Sequence, residues 1–146
     1  MTYDEHVNGP GEFEDLAAPV VVFPGQRGPE SAYRTAHDLL ARRAAHEAID
    51  VLDKALAEDP DNTGLRTLRA WAYLIRVQLG RAEEELRALV AENPSDAWAQ
   101  HALGRALERQ SRPQEALPHL RLAAVMSDDY DHLAAVYRVE RQLGGD

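Results

Sequence analysis

The residues of this chain that could do chemistry are its histidines and two runs of acidic side chains. The histidines are His6, His37, His46, His101, His119 and His132. A histidine metal site on a helix needs two rings on one face, and no pair here has that spacing. The sequence also has no glycine-rich phosphate loop and no nucleophile elbow. We therefore expect no catalytic residue, no metal site and no cofactor.

The first acidic run, residues 128–131 (Asp-Asp-Tyr-Asp), has the carboxylates of a calcium loop. However, Ala134 stands near the place where such a loop needs glycine, and no glutamate follows in register to complete the coordination. We interpret the run as the cap of a final helix, because carboxylates accept hydrogen bonds from the first N–H groups of a helix. The three glutamates at 83–85 are interpreted as a solvated helix start, where negative charge opposes the helix dipole.

Composition excludes other classes of function. The 146 residues carry a formal charge of −9, which argues against nucleic-acid binding driven by basic side chains. Cysteine is absent, so disulfides and thiolate chemistry are excluded. No stretch approaches the ~20 apolar residues of a membrane helix, and the first residues do not read as a secretory signal. We expect a cytoplasmic protein that contacts neither nucleic acid nor membrane.

The elements that position these side chains are indicated by residues that recur every 34 positions. The recurring columns are Pro60 and Pro94; Ala36, Ala70 and Gly104; Ala48, Ala82 and Ala116; and Leu52, Leu86 and Leu120. A fixed period of this length is typical of a two-helix unit that buries its apolar stripe only by stacking on copies of itself.

These columns resemble the tetratricopeptide repeat (TPR) family, which places small residues where two helices touch and larger apolar residues around them. The resemblance implies an all-α fold, a TPR helical-hairpin solenoid with three repeats and a C-terminal capping helix. The expected segments are an acidic, Pro/Gly-rich N-terminal arm at 1–28, a TPR domain at 29–143 with repeats at 29–62, 63–96 and 97–130 and a capping helix at 131–143, and a tail at 144–146.

Two details of the repeats are expected to deviate from the family pattern. Gly80 lies three residues after the turn positions equivalent to Arg43 and Ser111, which predicts a longer first helix and a shorter second helix in repeat 2. Pro118 falls inside the second helix of repeat 3, where its missing N–H predicts a kink or a late helix start.

The N-terminal arm contains one apolar piece, residues 20–23 (Val-Val-Val-Phe), between Pro19 and Pro24. Such a run favours an extended backbone. We expect the arm to be mobile up to about Asp15 and the apolar piece to be docked. It folds back on the protein's own apolar surface or augments a partner, and the sequence leaves both possibilities open.

The resemblance implies a noncatalytic scaffold or adaptor that binds a peptide or protein segment in a concave groove lined by the first helix of each repeat. The binding residues carried over in this way are Tyr33, His37, Trp71, Leu74, Trp98, His101, Arg105 and Arg109, with Leu40, Thr67, His132, Ala135 and Val139 on the same face. The Lys-Asn-Arg clamp with which some members grip acidic chaperone tails is absent, because the only lysine, Lys54, lies on a second helix. The alternative is a homo-oligomer assembled through the apolar arm segment or convex helix faces.

Overall fold

The computed structural model describes residues 13, 16–19 and 29–144, and within these residues it contains α-helices and no β-strand. The helices are α1 (Pro29–Ala41), α2 (Ala45–Glu58), α3 (Thr63–Ile75), α4 (Leu79–Glu92), α5 (Ala97–Arg109), α6 (Pro113–Met126) and α7 (Tyr130–Gly144). The all-α architecture expected from the repeat pattern is confirmed.

The turn inside each helical pair is built in the same way three times. Arg43, Val77 and Ser111 have φ values of 62°, 57° and 64°, so each adopts the left-handed conformation. After each of them, the next N–H reaches back to a carbonyl near the helix end, as in the bond from the Gln78 N–H to the Tyr73 O at 2.8 Å. The three turns are therefore equivalent, and the period of 34 extends to the backbone.

The expectation of a longer first helix in repeat 2 is wrong. Helix α3 has 13 residues, as α1 and α5 do, and Gly80 is the second residue of α4. The sequence favoured Gly80 as the turn because glycine adopts a left-handed backbone readily. Packing of the equivalent helices instead places the turn at Val77, a β-branched residue for which that backbone is unfavourable.

Helix starts also repeat. The Asn62 side chain accepts a hydrogen bond from the Leu65 N–H, and the Asp96 side chain accepts one from the Ala99 N–H, both at 3.0 Å. These are N-caps, which satisfy a backbone donor that has no partner within the helix. At α7 the Asp129 side chain accepts from the Asp131 N–H at 2.8 Å, in agreement with the capping interpretation of the acidic run.

The chain divides into two compact units, Met1–Gln78 and Leu79–Asp146. In the first unit, α1 packs on α2 and α3, and α2 packs on α3. Alanines at the close approaches are fully buried, and leucines fill the space around them. The large, fully buried side chains of this unit are Leu40, Leu52, Leu65, Leu68 and Leu74.

In the second unit, α5 packs against α4 and α6, and α7 packs against α6 and α5. Gly104 marks the closest approach of α5 to α6, because a Cβ added there would lie 2.5 Å from Cγ of Leu120. Helix α6 begins at Pro113 and continues through Pro118, so the late start suggested by that proline does not occur.

Part of the N-terminal arm is buried. Phe13 is 4% exposed, Leu16 and Pro19 are also buried, and the Leu16 N–H donates to the Phe13 carbonyl at 3.1 Å. The expectation that the arm stays mobile up to Asp15 therefore fails at Phe13, whose ring is apolar and removed from water. The apolar piece at 20–23, expected to dock, lies outside the described residues.

Candidate functional site

Three of the predicted binding residues come together in the first unit as a row of rings, which we call the aromatic row: Tyr33, His37 and Trp71. Tyr33 and His37 are four residues apart on α1 and share one side of the helix. Their ring centroids are 5.7 Å apart, and those of His37 and Trp71 are 5.9 Å apart, both in tilted geometry. These separations are typical of favourable aromatic contacts.

The aromatic row is partly open to solvent. Tyr33 and His37 are half-buried, whereas Trp71 is 7% exposed. Burial raises the pKa of Tyr33. The indole N–H of Trp71 has no hydrogen-bond partner among the described residues, and a buried donor left unpaired is unfavourable by about 1–3 kcal/mol. The row therefore combines apolar ring area with a hydrogen-bond donor in need of an acceptor.

Leu74 does not belong to a binding face. It is fully buried on α3, because this helix is apolar around most of its circumference and is covered by both α1 and α2. Thr67, expected beside it, is also buried, and its hydroxyl donates to the Thr63 carbonyl at 2.9 Å. Both residues stabilise α3 and leave Trp71 as the ring that reaches the row.

In the second unit, Trp98 lies in the first turn of α5 and Arg109 is the last residue of that helix, and both are half-buried. His101 was expected on the same exposed face, but only 2% of its surface is exposed. The ring of His132 from α7 stacks on it, with centroids 4.2 Å apart and planes inclined by 21°. His101 is therefore part of the packing between α5 and α7.

Near this histidine pair, the carboxylate of Glu108 lies between two guanidinium groups, those of Arg138 and Arg105. Glu108 accepts two hydrogen bonds from the Arg138 guanidinium, at 2.6 and 2.7 Å, and lies 3.9 Å from Nε of Arg105. Burial, with smaller electrostatic contributions from His132, Arg105 and Arg138, lowers the pKa of His101 to about 3. Its Nδ1 has no hydrogen-bond partner among the described residues. The neutral ring is thus strongly favoured.

This network changes the role expected for Arg105. The family resemblance implied that its side chain lies on the groove face as a binding residue. Glu108 already lies beside it, and the Arg105 side chain is largely buried. Glu108 follows Arg105 by three residues, a spacing that favours ion pairs on a helix and could have signalled this contact. Its bidentate link to Arg138 depends on the packing of α7 and has no local signal.

A second charged cluster connects α4 to the turn before α6. Arg112 donates to both oxygens of Glu83, at 2.8 and 3.1 Å, and Gln110 donates at 3.1 Å. Burial alone would raise the pKa of Glu83, but hydrogen bonds from Arg112, Arg87 and Gln110 outweigh it and lower the pKa to about 2. The interpretation of residues 83–85 as a solvated run is therefore wrong for Glu83, which acts as a structural clamp.

The described residues contain no group of three or more His, Asp or Glu side chains that could hold a metal ion. Over the same part of the chain, no helix combines the length and apolarity needed to cross a membrane. The chemistry that the arrangement offers is that of a contact surface, with rings, a hydrogen-bond donor and half-buried charge.

Comparison with known proteins agrees with the repeat pattern. Residues 39–96 match a family model described as "Tetratricopeptide repeat". The chain is 34% identical over 96 residues to the uncharacterized protein y4yS of Sinorhizobium fredii, covering 63% of this chain and 51% of that protein. It is 28% identical over 115 residues to the inactive TPR repeat-containing thioredoxin TTL3 of Arabidopsis thaliana, covering 79% of this chain and 16% of that protein. The chain thus spans about half of the length of the first relative and about a sixth of the second.

Solved structures show the same fold. The first TPR of Spaghetti (RPAP3) bound to the HSP90 peptide SRMEEVD superposes with a TM-score of 0.77 at 21% identity, over 83% of this chain and 97% of that chain. A MamA D159K mutant superposes with a TM-score of 0.69 at 22% identity, over 79% of this chain and 67% of that chain. At this level of identity the comparison shows the fold, a helical solenoid of TPR hairpins.

Proposed function

The chain belongs to the tetratricopeptide repeat family, and we propose that it is a noncatalytic scaffold or adaptor that binds a peptide or protein segment on the groove face of its first helices. The fold is generally a module for protein interaction. None of the charged clusters described above pairs an acid and a base with an oxyanion site, as a hydrolytic centre would require.

The aromatic row is the observation that carries this proposal. Tyr33, His37 and Trp71 come from two helices and form one continuous set of ring contacts with part of its surface open. Aromatic side chains bury a large area with little loss of conformational entropy, so they are frequent anchors of binding. A partner carbonyl could accept the unpaired Trp71 N–H after a small local movement, which would remove the unfavourable buried donor.

In the second unit, the proposed surface consists of Trp98 and Arg109. Both are half-buried on α5, so a partner can remove the rest of their surface from water. His101 and Arg105 lie behind this surface, where His132 and Glu108 hold them. We assign to these two residues a positioning role, and we assign direct contact to Trp98 and Arg109.

The partner class differs from that of the peptide-bound relative. The peptide SRMEEVD is acidic, and the chain's single lysine, Lys54, is exposed on α2, away from the first helices. An acidic tail would therefore find no lysine on the first helices, and Arg109 is the one cation that we assign to the proposed surface. We expect no measurable binding of a fluorescein-labelled SRMEEVD peptide to the full chain, measured by fluorescence anisotropy. Saturable binding would show that arginines replace the clamp.

The proposal is tested with peptides selected on the full chain from a displayed random library, followed by affinity measurements on variants. His37→Ala removes the central ring of the aromatic row and should weaken binding by ~30-fold, the effect of losing a typical anchor. His46→Ala is the matched control, since it removes an exposed histidine from the first turn of α2. Equal affinities for the two variants would show that the peptide binds elsewhere.

A further inference from the structure

The C-terminal part of the second unit exposes six large apolar side chains, which we call the terminal apolar face. They are Leu122, Val125 and Met126 on α6 and Tyr130, Leu133 and Tyr137 on α7. Val125 is 84% exposed, Tyr130 77% and Tyr137 59%. A solvated helix face normally carries polar or charged side chains, so large apolar side chains with this exposure are unusual.

Earlier repeats do not expose apolar side chains of this size at the same positions. Counting back by multiples of 34 from the three α6 residues gives Ala88, Ala91 and Glu92 on α4 and Lys54, Ala57 and Glu58 on α2. These side chains are small or charged, as expected for a solvated helix face. The apolar residues are therefore specific to α6 and do not belong to the repeat itself.

On α7, two of the three exposed residues correspond to positions that are buried one repeat earlier. Leu133 and Tyr137 follow Ala99 and Leu103 by 34 residues, and those two are fully buried on α5, which packs on α6. Tyr130, Leu133 and Tyr137 share one side of α7, because they are three and four residues apart. Leu133 is nevertheless 39% exposed and Tyr137 59% exposed, although their repeat positions are ones that a helix normally covers.

We propose that a second copy of this chain docks on the terminal apolar face, with the two α7 helices antiparallel across a two-fold axis. Six exposed apolar side chains, two of them tyrosines, offer an area of the same order as one partner's share in a standard interface, about 800 Å². Tyrosine is also one of the aromatic types enriched in such interfaces.

The charges of α7 favour a copy of the same chain over an unrelated acidic partner. With the axis at the level of Ala135, an antiparallel pair places Leu133 opposite Tyr137 of the other copy and Arg141 opposite Asp129, with Asp131 one turn away. Asp129, Asp131 and Arg141 are all exposed. The arrangement keeps the two acidic runs apart and brings each one to an arginine, so a surface with a net negative charge becomes self-complementary.

The first test is the mass of the full chain in solution. We expect sedimentation velocity from ~1 to ~200 µM to show a concentration-dependent dimer of the 16.2 kDa chain, with micromolar affinity. Val125→Glu should shift the protein to monomer, and Ala57→Glu, the same substitution at the same repeat position on α2, should leave the dimer intact. Far-UV circular dichroism and the melting temperature of the monomeric variant should stay close to those of the wild type, because Val125 is exposed.

The second test addresses the antiparallel arrangement. Arg141→Asp should weaken the dimer by about tenfold through like-charge contacts, and adding Asp131→Arg should restore most of the affinity. A wild-type chain that stays monomeric at all these concentrations would overturn the proposal and leave the face to a different protein. A dimer that survives Val125→Glu would place self-association on another surface, and a double swap without recovery would contradict the antiparallel register.

Discussion

At the scale of single residues, helix packing overrides the ordinary preference of two residues, the backbone preference of Val77 and the surface preference of His101. Val77 takes a left-handed backbone because the turn of repeat 2 occupies the same position as those of repeats 1 and 3. His101 loses its surface because α7 brings His132 onto it. Neither outcome has a signal in the neighbouring sequence, since both follow from where a whole helix lies.

Substitution of Val77 tests the strain in the second turn. A β-branched residue in the left-handed region is unfavourable by roughly 1–3 kcal/mol. Replacing it with glycine relieves this strain, but the greater flexibility of glycine in the unfolded chain offsets part of the stabilisation. Because Val77 is also 41% exposed, little packing is lost. We expect Val77→Gly to raise the free energy of unfolding by about 1 kcal/mol in urea denaturation. A destabilised variant would mean that the valine side chain contributes more than the turn geometry costs.

The histidine pair predicts a loss of stability in mild acid. The folded-state pKa of His101, about 3, lies below the unfolded value of 6.5. Between these two pH values the unfolded chain binds a proton at His101 and the folded chain does not. The free energy of unfolding is therefore unaffected by the titration of His101 above pH ~6.5 and decreases progressively as the pH falls towards 3. His132, Arg105, Arg138, Asp129 and Glu108 face the pair and remain in the variant proposed below.

His101→Phe keeps a ring of similar size and removes this titration. Between pH 7 and pH 5, the wild type should lose roughly 2 kcal/mol more stability than the variant, as measured by urea denaturation at each pH. The other histidines are common to both proteins and cancel in the comparison. If the free energies of unfolding of the two proteins changed in parallel with pH, His101 would be protonated in the folded protein as readily as in the unfolded chain.

At the scale of elements, the repeat period predicted more of the structure than the residues near each boundary did. The columns of small residues located the close approaches correctly, because a helix pair at that distance leaves no room for a larger side chain. Gly80 misled the expectation for α3, since its flexibility is a local property and the turn is set by packing. The clamp on Glu83 was also missed, because Arg112 is distant in sequence and reaches it through the fold.

The contact between α5 and α6 gives the sharpest test at this scale. Gly104→Ala should favour the helix by about 1 kcal/mol, but the new Cβ would lie 2.5 Å from Cγ of the fully buried Leu120. Overpacking of this kind typically costs 1–3 kcal/mol, so a net loss of about 1 kcal/mol is expected in urea denaturation.

Leu120→Val in the same chain provides the control. If the clash is the cause, the double variant should be less destabilised than the sum of the two single variants, because the smaller side chain makes room for the methyl group. Strict additivity would indicate that Leu120 already moves aside without cost.

At the scale of the whole molecule, the sequence predicted the fold, whereas the binding surface stays a proposal whose residues are only partly brought together by the packing. The period of 34 and the residue types that recur with it are properties of the repeat unit. They are therefore found in every repeat and identify the architecture. Which side of a first helix stays open depends on its neighbours. The sequence therefore placed Tyr33, His37 and Trp71 together correctly, but it also assigned Leu74 and His101 to the same kind of surface, where packing buries them.

The most direct test of the proposed binding surface is a titration of the ¹⁵N-labelled full chain with a selected peptide, followed by the indole N–H signals. The chain has only two tryptophans, Trp71 and Trp98, so two signals report on the two units, and Trp98→Phe assigns them. We expect the Trp71 signal to move downfield as its unpaired N–H gains an acceptor, and a shift of the Trp98 signal to report contact with the second unit. Saturable binding that leaves both indole signals in place would contradict the assignment of the groove face.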